Sequence, residues 1–174
     1  MAAVSARNSA KSAQLNKYEN INILRFVFSG YERYLVWHED AKGNDIVETK
    51  DNKIMTFDTL ESAEKFAGYG CECWEYDISE LEKFIHTHDK IFDCKLILDF
   101  WNIFNDIVYS FGEKIPGERT RCSDKCYNKL FWGCNLPAVT PDGECYTPLF
   151  TRKERKNIRR ILSYGIDFIY EKMR

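Results

Sequence analysis

The sequence predicts an α+β protein in which an antiparallel β-meander is followed by, and packed against, several helices. Short runs of β-branched and aromatic residues, separated by turn residues, fill positions 21–77. Apolar residues recur every three or four positions over most of the remainder. The length of 174 residues, 44% of them hydrophobic, suits one domain with a sizeable core. We therefore expect a flexible tail over residues 1–20 and a single domain over residues 21–174.

Five runs predict the strands. Each combines β-branched and aromatic residues and stands next to Gly, Asn, Asp or Ser, the residue types that favour turns. The runs are ILRFVFS, RYLVWHE, DIVET, KIMTFD and, after the first predicted helix, CECWEYD.

Helices are predicted near residues 59–68, 78–87, 94–111, 123–132 and 152–173. Asp58 and Thr151 each stand three residues before a glutamate, which is the spacing of a capping box. Ser123 is the candidate N-cap of the fourth helix. The third helix carries a continuous aromatic stripe, so we expect Trp101 and Phe104 in the core.

The composition favours a cytoplasmic protein that needs no cofactor. No apolar run approaches the ~20 residues that cross a bilayer, and the N-terminus lacks the apolar segment of a secretory signal. Seven cysteines at uneven spacing, in a chain of this length, indicate reduced thiols rather than a disulfide framework.

Metal and catalytic patterns are weak. A zinc site usually takes two close Cys-x2-Cys pairs, and the best candidate set here lacks that spacing. That set is Cys122, Cys126, Cys134 and Cys145. The chain contains no Gly-x-Ser-x-Gly, Gly-rich phosphate loop or His-Glu-x-x-His. We predict no metal ligand and no catalytic residue; a small enzyme that uses His86, His88 or Asp99 is an alternative.

Charge is divided unevenly along the chain. Residues 39–99 contain 16 Asp or Glu and 7 Lys or Arg, whereas residues 100–174 contain 9 and 13. The run RKERKNIRR places several cations on one side of the last predicted helix, where they oppose the helix dipole. An acidic half and a basic stripe each offer a surface for a partner of opposite charge.

Several stretches resemble bacterial immunity proteins, which neutralise polymorphic or contact-dependent growth-inhibition toxins. The similar stretches are LILDFWNIFNDIVYSF, YNKLFWGCNLPAVTPDGECYTPLF and YLVWHED with KIMTFDTLESAEKFA, so the resemblance covers about residues 21–170. It implies a binding protein that does no chemistry itself. The partner that it implies is the C-terminal domain of a cognate toxin, such as a nuclease, whose active site or an adjacent surface it covers.

The acidic half suits a basic toxin, because complementary charge speeds encounter. Turns and strand ends commonly carry recognition, so we predict a binding edge around the meander. Its residues are Tyr31, Trp37, Glu39, Asp40, Asp45, Glu48 and Asp51. The alternative interface is Arg155, Lys156 and Arg159, which would also serve a nucleic-acid-binding module. We expect neither nucleic acid nor a membrane as partner.

The stretch from Lys129 to Phe150 contains three prolines and cannot form one regular element. We interpret it as a rigid connector. Four aromatic residues are expected to tuck it against the helices: Phe131, Trp132, Tyr146 and Phe150.

Overall fold

A computed structural model describes residues 19–87, 92–141 and 143–174. The chain divides into one compact unit that runs up to Asp77 and includes Met173, and a second that runs from Ile78 to Lys172 and includes Arg174. The described strands all lie in the first unit, and most of the helices lie in the second, so the predicted α+β class is confirmed. The predicted tail over residues 1–20 lies outside the described residues, except that Glu19 and Asn20 begin the first strand.

Strands of the first unit follow the predicted runs closely. They are β1 (Glu19–Phe28), β2 (Tyr31–Glu39), β3 (Asp45–Val47), β4 (Thr49–Lys50), β5 (Lys53–Ile54), β6 (Thr56–Phe57) and β7 (Glu72–Asp77). The main sheet has the order β3-β2-β1-β7, with β6 also paired to β2, and β4 and β5 form a separate ribbon. Pairing of β2 with β1, β3 and β6 is antiparallel, as the meander predicts.

The last strand departs from the predicted antiparallel sheet, because β7 pairs with β1 in parallel. The chain reaches β7 through α1 (Leu60–Ala67), and a parallel neighbour requires a crossover connection of this kind. One face of the sheet packs against α1 around Ile23, Val36 and Ala63, which are fully buried. The sheet is therefore mixed, with β7 at one edge.

Two helix starts differ from their predicted caps. Thr59, in an extended conformation, caps α1 and accepts a hydrogen bond from the Ser62 amide at 3.2 Å. Asp58 instead pairs with Arg33 at 3.2 Å. Likewise Thr120, and not Ser123, caps the fourth helix. The observed cap lies one residue after the predicted one in α1 and three residues before it in the fourth helix. In each case a threonine hydroxyl lies where the helix begins.

The second unit consists of helices joined by loops. The helices are α2 (Ile78–His86), α3 (Cys94–Tyr109), α4 (Arg121–Gly133) and α5 (Arg152–Lys172). Each lies within about two residues of its predicted range. Helices α3, α4 and α5 pack against one another, and α2 packs against α5.

The core of the second unit confirms the predicted aromatic stripe. Trp101 and Phe104 are 1% and 0% exposed. A Cβ atom placed on Gly165 of α5 would lie 2.1 Å from the Phe104 ring. The close approach of α3 and α5 therefore depends on the absence of a side chain at position 165.

Candidate functional site

Two of the predicted acidic residues face each other at an edge of the sheet. Glu39 of β2 and Asp45 of β3 are opposite one another in the antiparallel ladder; we call them the acidic pair. The pKa of the Asp45 carboxyl is raised, first by partial burial and then by the charge of Glu39. Like charges directly opposite in a ladder are destabilising, so the fold tolerates this pair at some cost to its own stability.

One aromatic side chain, that of Trp37, stands beside the acidic pair. Trp37 lies two positions before Glu39 and therefore on the same face of β2. Its ring centroid is 5.5 Å from that of Trp74 on β7, which is 38% exposed. Trp37 thus stands beside the carboxylates, whereas Trp74 belongs to β7 at the opposite edge of the sheet. Carboxylates next to a half-buried indole ring are the composition of many protein-binding surfaces.

Asp40 belongs to the loop between β2 and β3, and its carboxylate accepts hydrogen bonds from the main chain of that loop. Its Oδ1 atom accepts hydrogen bonds from the Lys42 amide at 2.8 Å and the Asn44 amide at 2.9 Å. These bonds, the one from the Asn44 backbone foremost, lower the pKa of Asp40. Asp40 therefore stabilises the loop that carries Asp45.

Glu48 and Asp51 also serve local structure. Glu48 Oε1 lies 3.3 Å from Nε2 of the buried His38, which neighbours Glu39 in β2 and so points to the opposite face. Asp51 and Asn52 form the turn between β4 and β5 with φ angles of 52° and 60°. Such a left-handed pair is typical of a two-residue hairpin turn, and Asp and Asn tolerate it well.

Tyr31 is far from the acidic pair. It begins β2, eight residues before Glu39, which is about 26 Å along an extended strand. Its ring stacks on Phe28 with centroids 4.7 Å apart, and the Arg33 guanidinium lies 5.3 Å from its centroid. The residues of the predicted binding edge therefore do not form one surface, because Tyr31 lies at the opposite end of β2 from Glu39.

The first two turns of α5 form a second charged surface. A groove of about 440 Å³ has only cations among its described lining residues, and we call it the cationic groove. These residues are Arg152, Arg155, Lys156 and Arg159. All three residues of the predicted alternative interface belong to it, together with Arg152.

Two arginines of the cationic groove also hold the fold. Arg155 donates to the carbonyl oxygen of Phe150, and Arg159 donates to the carbonyl oxygen of Thr87. The Arg159 guanidinium also lies 5.5 Å from the centroid of Phe84. The helical spacing of these cations predicts an exposed stripe but not these contacts, because hydrogen bonds to main-chain carbonyls leave no sequence pattern.

Glu154 lies on the same helix but turns inward. It is 9% exposed, and Lys129 Nζ donates to both of its carboxylate oxygens at 2.9 Å. The Thr151 amide donates to Glu154 Oε2 at 2.7 Å, which confirms the predicted capping box. Burial alone would raise the pKa of Glu154, but the hydrogen bonds from Lys129 and Thr151 lower it overall.

The connector between α4 and α5 is only partly packed. Phe150 is buried, as the sequence predicts, and its ring stacks on that of Phe92 with centroids 4.7 Å apart. Trp132 and Tyr146 are 51% and 46% exposed, so the expectation that they tuck against helices is wrong. Both side chains instead line an open pocket of about 490 Å³.

Asn135 shapes this pocket by holding the connector against the end of α4. Its side chain accepts from the Tyr146 amide at 2.7 Å and donates to the Tyr146 carbonyl at 3.0 Å. Its backbone is left-handed, with a φ of 49°. An asparagine just after a helix is the one sequence feature that could have indicated this bend.

The candidate zinc cysteines differ strongly in environment. Cys126 is fully buried, and burial raises the pKa of its thiol to about 12, whereas Cys145 is exposed. Within the described ranges, no three His, Cys, Asp or Glu side chains are grouped so as to hold a metal ion. Of the alternative catalytic residues, His86 ends α2, and His88 lies outside the described residues.

Comparison of the chain with protein-family models, with curated proteins and with solved structures found no match. Among the helices that the structure describes, none is both long enough and apolar enough to span a membrane. The immunity-protein family therefore stays a prediction from the sequence.

Proposed function

We propose that this protein is a cytoplasmic immunity protein, which binds the C-terminal domain of a cognate bacterial toxin and blocks its active site or an adjacent surface. The observation that carries the binding surface is the acidic pair. Glu39 and Asp45 are directly opposite one another at a sheet edge, and the pKa of Asp45 is raised by partial burial and by Glu39. A cation supplied by a partner would relieve this repulsion, so the pair favours binding over isolated stability.

The chemistry of the partner follows from the same edge. Opposed carboxylates beside the indole ring of Trp37 suit a protein surface that presents Arg or Lys next to an apolar group. A toxin that acts on nucleic acid has such a surface, because it must bind phosphates. That the partner is a toxin rests on the resemblance over residues 21–170; that it is cationic rests on the acidic pair.

Co-expression with the toxin domain encoded by the neighbouring gene tests the proposal. We expect the wild-type chain to restore bacterial growth and to co-elute with the toxin domain. E39K/D45K should lose both, whereas E61K/E64K, which changes the same number of charges on α1, should keep both. Wild-type chain that neither protects nor forms a complex would exclude the immunity function. Protection that survives E39K/D45K would place the interface elsewhere.

A further inference from the structure

The cationic groove has an arrangement of charge that the proposed toxin-binding edge does not use. Arg152, Arg155, Lys156 and Arg159 occupy positions i, i+3, i+4 and i+7 of α5, so their side chains share one face over about 10 Å of helix. Cations at these spacings repel one another, and in the first turns of a helix they also oppose the dipole. An anion in the groove would relieve both effects.

Most of these charges have no ion-pair partner among the residues that the structure describes. Among the ion pairs of the described residues, none involves Arg152, Arg155 or Lys156. Arg152 and Lys156 are exposed, and the described contact of Arg155 is to a neutral main-chain carbonyl, that of Phe150. The groove therefore presents at least three full positive charges to whatever enters it.

Two of the groups are held in place before any ligand arrives. Arg155 is fixed by the Phe150 carbonyl, and Arg159 by the Thr87 carbonyl and the Phe84 ring. A guanidinium that is already oriented loses little conformational freedom when it binds, and its fork matches the oxygens of a phosphate group. The two exposed side chains can then close on the ligand from the solvent side.

The dimensions and lining restrict the class of anion. A groove of about 440 Å³ is larger than one phosphate requires and lies within the usual range for small-molecule sites. Its described lining offers no aromatic face on which a nucleobase could stack. The net charge of −2 for the chain also disfavours an extended nucleic acid. We infer that the cationic groove binds a short oligophosphate, recognised by its linked phosphate groups.

Inorganic pyrophosphate is the probe for this site, with orthophosphate as the comparison at matched ionic strength. Isothermal titration should show one pyrophosphate per chain, bound at least tenfold more tightly than orthophosphate. R152Q/K156Q removes the two exposed cations without touching a carbonyl contact and should weaken binding at least tenfold. R121Q/K153Q removes the same charges from exposed positions outside the groove and should change binding less than twofold. R152K/K156R keeps both charges and should retain binding.

Several results would overturn the inference. Absence of saturable pyrophosphate binding to the wild-type chain would do so, as would equal loss in R152Q/K156Q and R121Q/K153Q. If a 12-residue oligouridylate or an acidic peptide bound at R152Q/K156Q-sensitive sites while pyrophosphate did not, the groove would be an interface for that polymer instead. Circular dichroism of each variant checks that it is folded. None of these results depends on whether the acidic pair binds a toxin.

Discussion

The acidic residues of the β2–β3 region and the cations of α5 differ in how many of their charges the fold itself uses. Asp40, Glu48 and Asp51 each have a local structural task, and Glu39 accepts a hydrogen bond from the exposed Asn20 side chain at 3.0 Å. The negative charges of the acidic pair nevertheless face each other across the ladder, and we call these two charges surplus. On α5, Arg155 and Arg159 are tied to carbonyl oxygens but keep their place in the groove. A charged residue is therefore a candidate for recognition only after its hydrogen-bond partners are known.

The largest loss of stability should come from removing a charged group whose hydrogen-bond and ion-pair partners all lie within the fold. Glu154→Ala removes a buried carboxylate, its capping box and the partner of Lys129. We expect a loss of about 2 to 3 kcal/mol in the free energy of unfolding, measured with urea at pH 7. Lys153→Gln, at an exposed neighbouring position, should change it by less than about 0.5 kcal/mol. Equal effects of the two substitutions would contradict the distinction between used and surplus charges.

The same carboxylate should contribute to acid sensitivity. The pKa of Glu154 is lower in the folded chain than its ordinary value of 4.5, so its stabilising effect is complete above that value. It is lost as the pH falls through the lowered pKa. Urea titrations between pH 7 and pH 3 should therefore show a smaller loss of stability for Glu154→Gln than for the wild-type chain. Parallel curves for the two proteins would show that Glu154 makes no such contribution.

In the acidic region, Asp40 is the residue whose removal should destabilise. Asp40→Ala deletes the acceptor for the Lys42 and Asn44 amides and should lower the urea midpoint. Asp45→Ala, in the same region and also an aspartate, should not lower it. A lower midpoint for Asp45→Ala than for Asp40→Ala would reverse the roles assigned to these two residues.

The sequence predicts the fold far better than it predicts these roles. Within the described ranges, the spacing of apolar residues predicts all five helices, because burial follows directly from that spacing, and the turn residues mark the ends of the strands. The parallel pairing of β7 was missed, since a strand has the same local pattern whichever neighbour it joins. The split between Asp40 and Asp45 could not be seen either, because it depends on which amides point at each carboxylate.

Neutralising one residue of the acidic pair should have a smaller effect on the free energy of unfolding, and one of opposite sign. Asp45→Asn removes the repulsion with Glu39 and should stabilise the chain by about 0.5 kcal/mol at pH 7. Because the pKa of Asp45 is raised, the folded state binds its proton more tightly, and stability falls as the pH rises through the raised pKa. The gain should therefore vanish in acid. Glu61→Gln, which breaks the exposed 2.8 Å ion pair with Lys65, should not increase stability. An equal increase in that variant would show that the effect at Asp45 does not come from its repulsion with Glu39.

The central claim is that the acidic pair is retained for a cationic partner at the expense of stability. Its most direct test is the association rate with the proposed toxin partner, the product of the neighbouring gene, measured by stopped flow from low to high salt. E39Q/D45N, although more stable, should associate about two- to threefold more slowly at low salt, and the difference should shrink as salt screens the charges. The matched variant E61Q/E64Q, whose charges lie on α1 and not at the acidic pair, should associate at about the wild-type rate. If E39Q/D45N associates at the wild-type rate in low salt, the acidic pair is not the binding edge.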